Sequence, residues 1–235
     1  NRQVVLENDM IEHWRSIYKE SDNLNEKLKK TLSKNGIETD FFVRSEEFQQ
    51  EYLEQVFSDL VDALQYNMTS GVYLILANNN PIDEAAKYHG FFVRDSDPQN
   101  KTASNTDLLL ERGDKQLAQK YSISLDSAWS TDFSLAGSGN READAFYYQP
   151  YLAALAYRDV SPEKLGYWAK PFILEDHYMD NHQMITYSIP LVYDNVVYGV
   201  FGIEVSVNYL NSYFQVKDLD NGLNSGYALM IRKTN

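Results

Sequence analysis

Glu204 is the one charged side chain in the run YGVFGIEVSV, from Tyr198 to Val207. Side chains of a strand alternate, so Phe201, Ile203, Val205 and Val207 point one way and Val200, Gly202, Glu204 and Ser206 the other. One face is greasy; the other is small and polar around a carboxylate. Burying an acid among Val, Gly and Ile is costly unless it is hydrated or meets a cation. That cation is a protein arginine such as Arg94 or Arg158, or a bound ligand. A second concentration of chemistry is DAFYYQPYLAALA, 144–156, which sets Asp144, Phe146, Tyr147, Tyr148 and Tyr151 at the start of a short helix. Aromatics at that density fill a core or, beside a half-empty sheet face, supply both the apolar wall and the hydroxyls of a small-molecule pocket. Both readings stand.

Other reactive residue types fall short of a site. His177 and His182 lie in EDHYMDNHQ with Glu175, Asp176 and Asp180, donors suited to zinc or nickel. Their spacing matches no helix-borne ligand set, so the segment reads as a loop joining two strands, and no metal is expected. His13 reads as a surface or interface residue and His89 as a turn residue. Gly137-Ser138-Gly139 lacks the Gly-x-Ser-x-Gly context and the preceding strand of a nucleophile elbow. DSDPQNKTASNTD, 95–107, has calcium-type donors but no mid-loop Gly or terminal Glu, and Pro98 interrupts it, which makes it a solvated loop. No glycine-rich loop cradles phosphate, and no spacing singles out a carboxylate pair for acid–base work. No cofactor is expected.

Composition narrows the partners. The chain has 235 residues, 43% hydrophobic and 14% aromatic, ample for a core. Its net charge of −13 denies nucleic acid and anionic membrane surfaces the basic footprint they need. Small molecules or proteins are the expected partners. With no cysteine, disulfides, thiolate catalysis and Cys-based zinc sites are excluded. No apolar run approaches the ~20 residues of a membrane span, and no signal peptide is present. The chain starts at Asn1 inside a helical pattern, as expected of a fragment excised from something longer.

The elements that must position these residues follow in chain order. Val4, Ile11, Trp14, Ile17, Tyr18, Leu24, Leu28 and Leu32 recur at amphipathic-helix spacing up to Ser33, and Asn35-Gly36 supplies a stop. At ~1.5 Å per residue this helix lies across the whole domain or projects as a stalk that pairs with a second copy. Ser45 caps a second helix, Glu46 to Asn67, striped by Phe48, Tyr52, Val56, Leu60 and Leu64. GVYLILA (71–77) and GFFVRD (90–95) read as a hairpin broken by Asn78-Asn79-Asn80-Pro81. A helix is expected from Asp107 to Tyr121, and Trp129 and Phe133 follow in a Ser/Thr-rich segment. From Gly166 to Leu210 come three antiparallel strands, then a short helix, Asn208 to Phe214, and a lone strand, Gly226 to Arg232.

These segments in this order resemble the extracytoplasmic double Cache sensor domains of bacterial diguanylate cyclases, histidine kinases and chemoreceptors. The resemblance runs from Val4 to about Phe214. Its most telling part is a T-x-S-x-P strand, Thr186 to Pro190, followed by YGVFGIEVS, Tyr198 to Ser206. It implies a PAS-like antiparallel sheet of about five strands, with the ligand on the face away from the stalk helix. In the family's amino-acid-binding members an Arg-x-Trp-Tyr-x-Asp element grips the ligand carboxylate and an acid on the last strand holds the ammonium. This chain has Asp144, Phe146, Tyr147 and Gln149 across that element, Phe172 and Leu174 where those members carry Tyr-x-Asp, and Glu204 at the last-strand acid. Without the bidentate Arg a carboxylate loses its strongest contact. What remains suits an amine, an amino-acid-like molecule or a neutral polar metabolite.

The resulting expectation is an α+β protein with a stalk helix (1–35), a membrane-distal Cache module (36–214) and the start of a membrane-proximal module (215–235). It is a ligand sensor, not an enzyme, on the extracytoplasmic side of the bacterial membrane. It is anchored there in the full-length protein and dimeric through the Val4 to Ser33 helix. Trp129, Phe146, Tyr147, Tyr151, Trp168 and Phe172 are the expected walls, Glu204 the polar anchor and Asp144 a second. The rival expectation is a secreted hydrolase or carbohydrate-handling enzyme using the same aromatic cleft.

Overall fold

The computed structural model describes residues 2–78, 87–98, 105–135, 144–173 and 183–207, with side chains from Ser16 onward except at 172 and 173. The first helix, α1, spans Arg2–Asn35 and buries Ile17, Leu24, Leu28 and Leu32 along one stripe. It ends where Gly36 takes a φ of +64° and the Ile37 amide donates to the Leu32 carbonyl at 3.1 Å. After the short α2, Thr39–Phe42, comes α3, Glu46–Asn67, whose cap Ser45 accepts from the Phe48 amide. The two long helices are antiparallel. Asn67 Nδ2 donates to Ser16 Oγ at one end (2.6 Å), Lys27 pairs with Asp59 midway (2.6 Å), and Lys34 pairs with Glu51 at the other end (2.6 Å).

The strands are β1 (Gly71–Leu76), β2 (Lys87–Tyr88), β3 (Gly90–Asp95), β4 (Leu108–Arg112), β5 (Ser124–Ser130), β6 (Phe133–Ser134), β7 (Tyr167–Trp168), β8 (Phe172–Ile173), β9 (Gln183–Tyr193) and β10 (Val196–Ser206). Helix α4, Lys115–Lys120, lies between β4 and β5, and α5, Ala145–Ala156, follows β6. The main sheet runs β5-β4-β3-β1-β10-β9-β7, with β8 also on β9; among the described strands only β4 and β5 pair in parallel. The expected α+β layout of a long helix on a mostly antiparallel sheet is what forms. The sheet is wider than five strands because β4, β5 and the short β7 and β8 extend it.

Both sheet faces are covered, which is why all six residues of β1 are buried. Val72, Leu74, Leu76, Phe91, Val93, Ile189, Phe201 and Ile203 pack with α1 and α3. Tyr73, Ile75, Phe92, Val197 and Val200 face the other way, against α5 and the small β2–β6 pair. A β-bulge between Val197 and Gly199 interrupts the alternation and turns Tyr198 onto the helix side. There Tyr198 Oη donates to Asn25 Oδ1 at 2.9 Å, and its ring meets Tyr52 and Phe42 edge-on.

Two expectations are corrected. Asp107 to Tyr121 is not a single helix: Leu108 and Leu110 are buried on alternate positions of β4, Gly113 at φ +121° breaks the chain, and Asp114 caps the six-residue α4. Trp129, in the Ser/Thr-rich segment, lies on β5, which pairs with β4. The region after Gly166 holds four described strands rather than three. Several expectations lie outside the described residues: Val4, Ile11, His13 and Trp14 as side chains, the Asn79-Asn80-Pro81 break, Gly137-Ser138-Gly139, the loop with His177 and His182, the Asn208 to Phe214 helix and the Gly226 to Arg232 strand.

Candidate ligand-binding site

Over the sheet face opposite α1 and α3 lies a cavity of about 690 Å³. Its floor is Tyr73 from β1, Phe92 and Arg94 from β3, Glu111 and Arg112 from β4, Thr186 from β9 and Glu204 from β10. Phe133 to Leu135, Asp144, Phe146 and the Ala169–Pro171 link close it from above. The sheet positions the floor through register: Gly71 stands opposite both Arg94 and Glu204, so those two side chains reach each other across β1. A Cβ at Gly71 would meet the Phe92 ring at 2.9 Å and Glu204 at 3.2 Å.

Glu204 is 2% exposed, and its cation is Arg94. Arg94 Nε donates to Glu204 Oε2 at 3.1 Å and Nη2 to Oε1 at 3.4 Å, while Nη1 pairs with Glu111 Oε2 at 2.6 Å. The guanidinium also lies over the Phe92 ring at 4.7 Å. Burial pushes the Glu204 carboxyl upward and Arg94 offsets only part of that. Burial alone would lower Arg94, but Glu204 and Glu111 outweigh it and raise it. Arg112 Nη1 donates to the carbonyls of Glu111 (2.7 Å) and Ala128 (2.9 Å). Asp144 and Lys170, the remaining charged groups of the lining, each have a partner of their own.

The hydroxyls differ. Ser188 Oγ donates to the Phe146 carbonyl at 2.6 Å, tying β9 to the start of α5. Tyr73 Oη and Thr186 Oγ1 are buried and make no hydrogen bond of good geometry among the described residues, although Ser188 and Thr186 lie close enough to the phenol to act on it. An unpaired buried hydroxyl costs about 1–3 kcal/mol. Burial drives the Tyr73 phenol well above its ordinary range, the neighbouring Ser188 and Thr186 moderating it. Its ring lies across β10, where a Cβ on Gly202 would meet it at 2.2 Å, and Phe92 and Phe146 stand edge-on to it at 5.6 and 5.3 Å.

Of the residues expected from the sequence, Asp144, Phe146 and Glu204 meet at this cavity. Tyr147, Tyr151, Trp129 and Trp168 do not line it. Tyr147 is fully buried in the core behind α5, edge-on to Tyr88 and Tyr148 and stacked on Tyr151 at 5.4 Å. Trp129 donates its Nε1 to the Gly113 carbonyl at 3.0 Å, and Trp168 packs on Tyr187 at 4.7 Å, both against the helix-side core. Phe172 pairs through its backbone with Met184, and its side chain lies outside the described residues. Sequence reasoning missed Tyr73, Phe92, Glu111 and Thr186. Tyr73 and Phe92 sit in apolar runs buried on both faces, where alternation carries no signal. Thr186 had one: it opens the T-x-S-x-P strand. A second, more open depression of about 420 Å³ lies beside the end of α1, between Lys29, Asp40 and Asp194.

No family model matches the chain, and no curated protein matches it in sequence. Solved structures are similar to it. The extracellular domain of the histidine kinase soHK1S-Z6 is 14% identical, with 91% of this chain and 66% of that chain covered and a TM-score of 0.37. Methyl-accepting chemotaxis protein X is 11% identical over 88% of this chain and 63% of its own, with a TM-score of 0.39. The periplasmic sensory domain of the Campylobacter jejuni chemoreceptor Tlp1 is 13% identical over 95% and 65%, with a TM-score of 0.35. The chain thus spans just under two thirds of the length of these structures.

Proposed function

We propose that this chain is the small-molecule-sensing, extracytoplasmic domain of a bacterial transmembrane signalling protein, with the ligand in the cavity between β1, β3, β9, β10 and α5. The observation that supports this reading is a cavity of about 690 Å³ whose lining includes Tyr73 and Thr186, two residues whose buried hydroxyls make no well-formed hydrogen bond among the described residues. A bound polar group satisfies both. Phe92 and Phe146 supply the apolar contact, and Glu204 contributes through its ion pair with Arg94.

The strand that carries Thr186 supports a route outward. Tyr187, its neighbour, faces the other side of the sheet, where its hydroxyl and that of Tyr18 on α1 lie 3.0 Å apart. A ligand that shifts β9 therefore acts on α1 through one hydrogen bond. In the full-length, membrane-anchored receptor, α1 is the stalk of a parallel homodimer, and the ligand biases the stalk between two arrangements by binding one more tightly. Among the described residues no helix is long and apolar enough to cross a membrane.

A thermal-shift screen against amines, amino acids, sugars, amides and organic acids tests the function. A ligand that binds only the folded state at about a hundred times its Kd stabilises by ~2.7 kcal/mol. The expected result is a compound class whose stabilisation falls to about half in Tyr73→Phe. Turnover of any compound, or a screen silent in every class, contradicts the proposal.

A further inference from the structure

We propose that Arg94 fills, from within the protein, the place that a ligand's cationic group would take on Glu204, so that the cavity selects a neutral polar molecule held by Tyr73 and Thr186. This rests on the reading of the cavity as a ligand site. Both Glu204 oxygens face Arg94, and the guanidinium's third nitrogen holds Glu111. Its flat face is taken up by Phe92. An ammonium entering here must displace a half-buried, multiply bonded guanidinium from a buried carboxylate, and a carboxylate must displace two carboxylates already on it; either exchange breaks pairs that cost desolvation to form. Arg112 is likewise engaged with backbone carbonyls, and Asp144 and Lys170 are each partnered.

Neutral chemistry meets a different wall. Tyr73 Oη and Thr186 Oγ1 can each donate and accept, and neither makes a hydrogen bond of good geometry among the described residues, their polar neighbours being each other and Ser188. A carbonyl, amide or hydroxyl satisfies them without disturbing the ion pairs. The Phe92 and Phe146 rings, 5.6 and 5.3 Å from Tyr73, flank the apolar part of the same molecule. The ligand class is therefore a neutral, hydrogen-bonding molecule with one apolar face. Arg94 is the residue that sets this preference.

The test uses cationic probes on the whole chain. Arg94→Ala deletes a side chain whose missing atoms are those of N-ethylguanidinium and leaves Glu204 unpaired. Its Tm should fall by roughly 10 °C. N-ethylguanidinium at ten times its Kd should restore about 4 °C, saturably, while equal sodium chloride does not. The wild type should respond to neither N-ethylguanidinium nor ethylammonium nor alanine, and the double variant Arg94→Met/Glu204→Gln, which removes both charges, should fold and ignore all three. Saturable stabilisation of the wild type by a cationic probe overturns the proposal while leaving a ligand site in place. Rescue of Arg94→Ala together with a wild type that no compound stabilises leaves Arg94 in its role and removes the sensor function instead. Should Arg94→Ala not fold, the wild-type arm decides: stabilisation confined to neutral compounds and clearly reduced in Tyr73→Phe and Thr186→Val supports the proposal. Stabilisation by amines or amino acids overturns it.

Discussion

Removing the Glu204 side chain and merely neutralising it have unequal consequences, because Arg94 would be left with Glu111 alone. Breaking a buried pair by truncation costs about 3–5 kcal/mol, and losing one charge-assisted hydrogen bond about 1.5–3. Glu204→Ala should therefore lower the urea midpoint well beyond Glu204→Gln; equal losses would mean that the pair is hydrated and weak. Asp95 gives a pH prediction. Burial, with Asp107 and Asp97 nearby, pushes its carboxyl up to about 6 from an ordinary 3.8, although it accepts the Asp97 amide. The folded state then holds this proton to higher pH than the unfolded state does, so Asp95 costs stability increasingly as pH rises from about 4 through 6. Asp95→Asn keeps the acceptor and sheds the charge. Its Tm should exceed wild type by a few degrees at pH 7.5 and match it near pH 4. A constant offset across that range would remove burial as the cause.

At the scale of elements, the seam between α1 and α3 carries most of what periodicity could reveal. Leu28 is fully buried there, whereas Lys34 reaches Glu51 at 2.6 Å from a mostly exposed position. Leu28→Ala should cost about 2–5 kcal/mol in urea unfolding, and Lys34→Ala under about 1 kcal/mol despite its short ion pair. The reverse ranking would mean that α1 is held by its charges. The seam, the Ser45 cap and the Gly36 stop were legible because each is a local rule met locally. The β4 strand was not, since LLLER satisfies helical and extended spacing alike and only its pairing with β3 decides. The cavity was legible in part: Glu204 stands out on a bland strand face, and Arg94 was among its foreseen partners. Tyr147 and Tyr151 were open between core and pocket, and the fold sends both to the core by laying α5 on the sheet. No spacing in the sequence shows that Gly202 leaves room for Tyr73 to lie across β10 toward Thr186.

For the molecule as a whole, the sheet separates the proposed ligand from the helix that reports it. Thr186 and Ser188 belong to the cavity side of β9 and Tyr187 to the α1 side, so ligand binding should slow hydrogen exchange in α1 around Tyr18, and Tyr187→Phe should abolish that slowing while leaving affinity nearly unchanged. A net charge of −13 opposes self-association, so dimerisation through α1 should strengthen with salt in sedimentation experiments. The account turns most directly on whether the two buried hydroxyls hold a ligand. Calorimetric titration of the strongest stabilising compound into wild type, Tyr73→Phe and Thr186→Val tests it. Each substitution should weaken Kd by about tenfold, the equivalent of ~1.4 kcal/mol. Unchanged affinity in both variants would place the ligand elsewhere and contradict the assignment of this cavity.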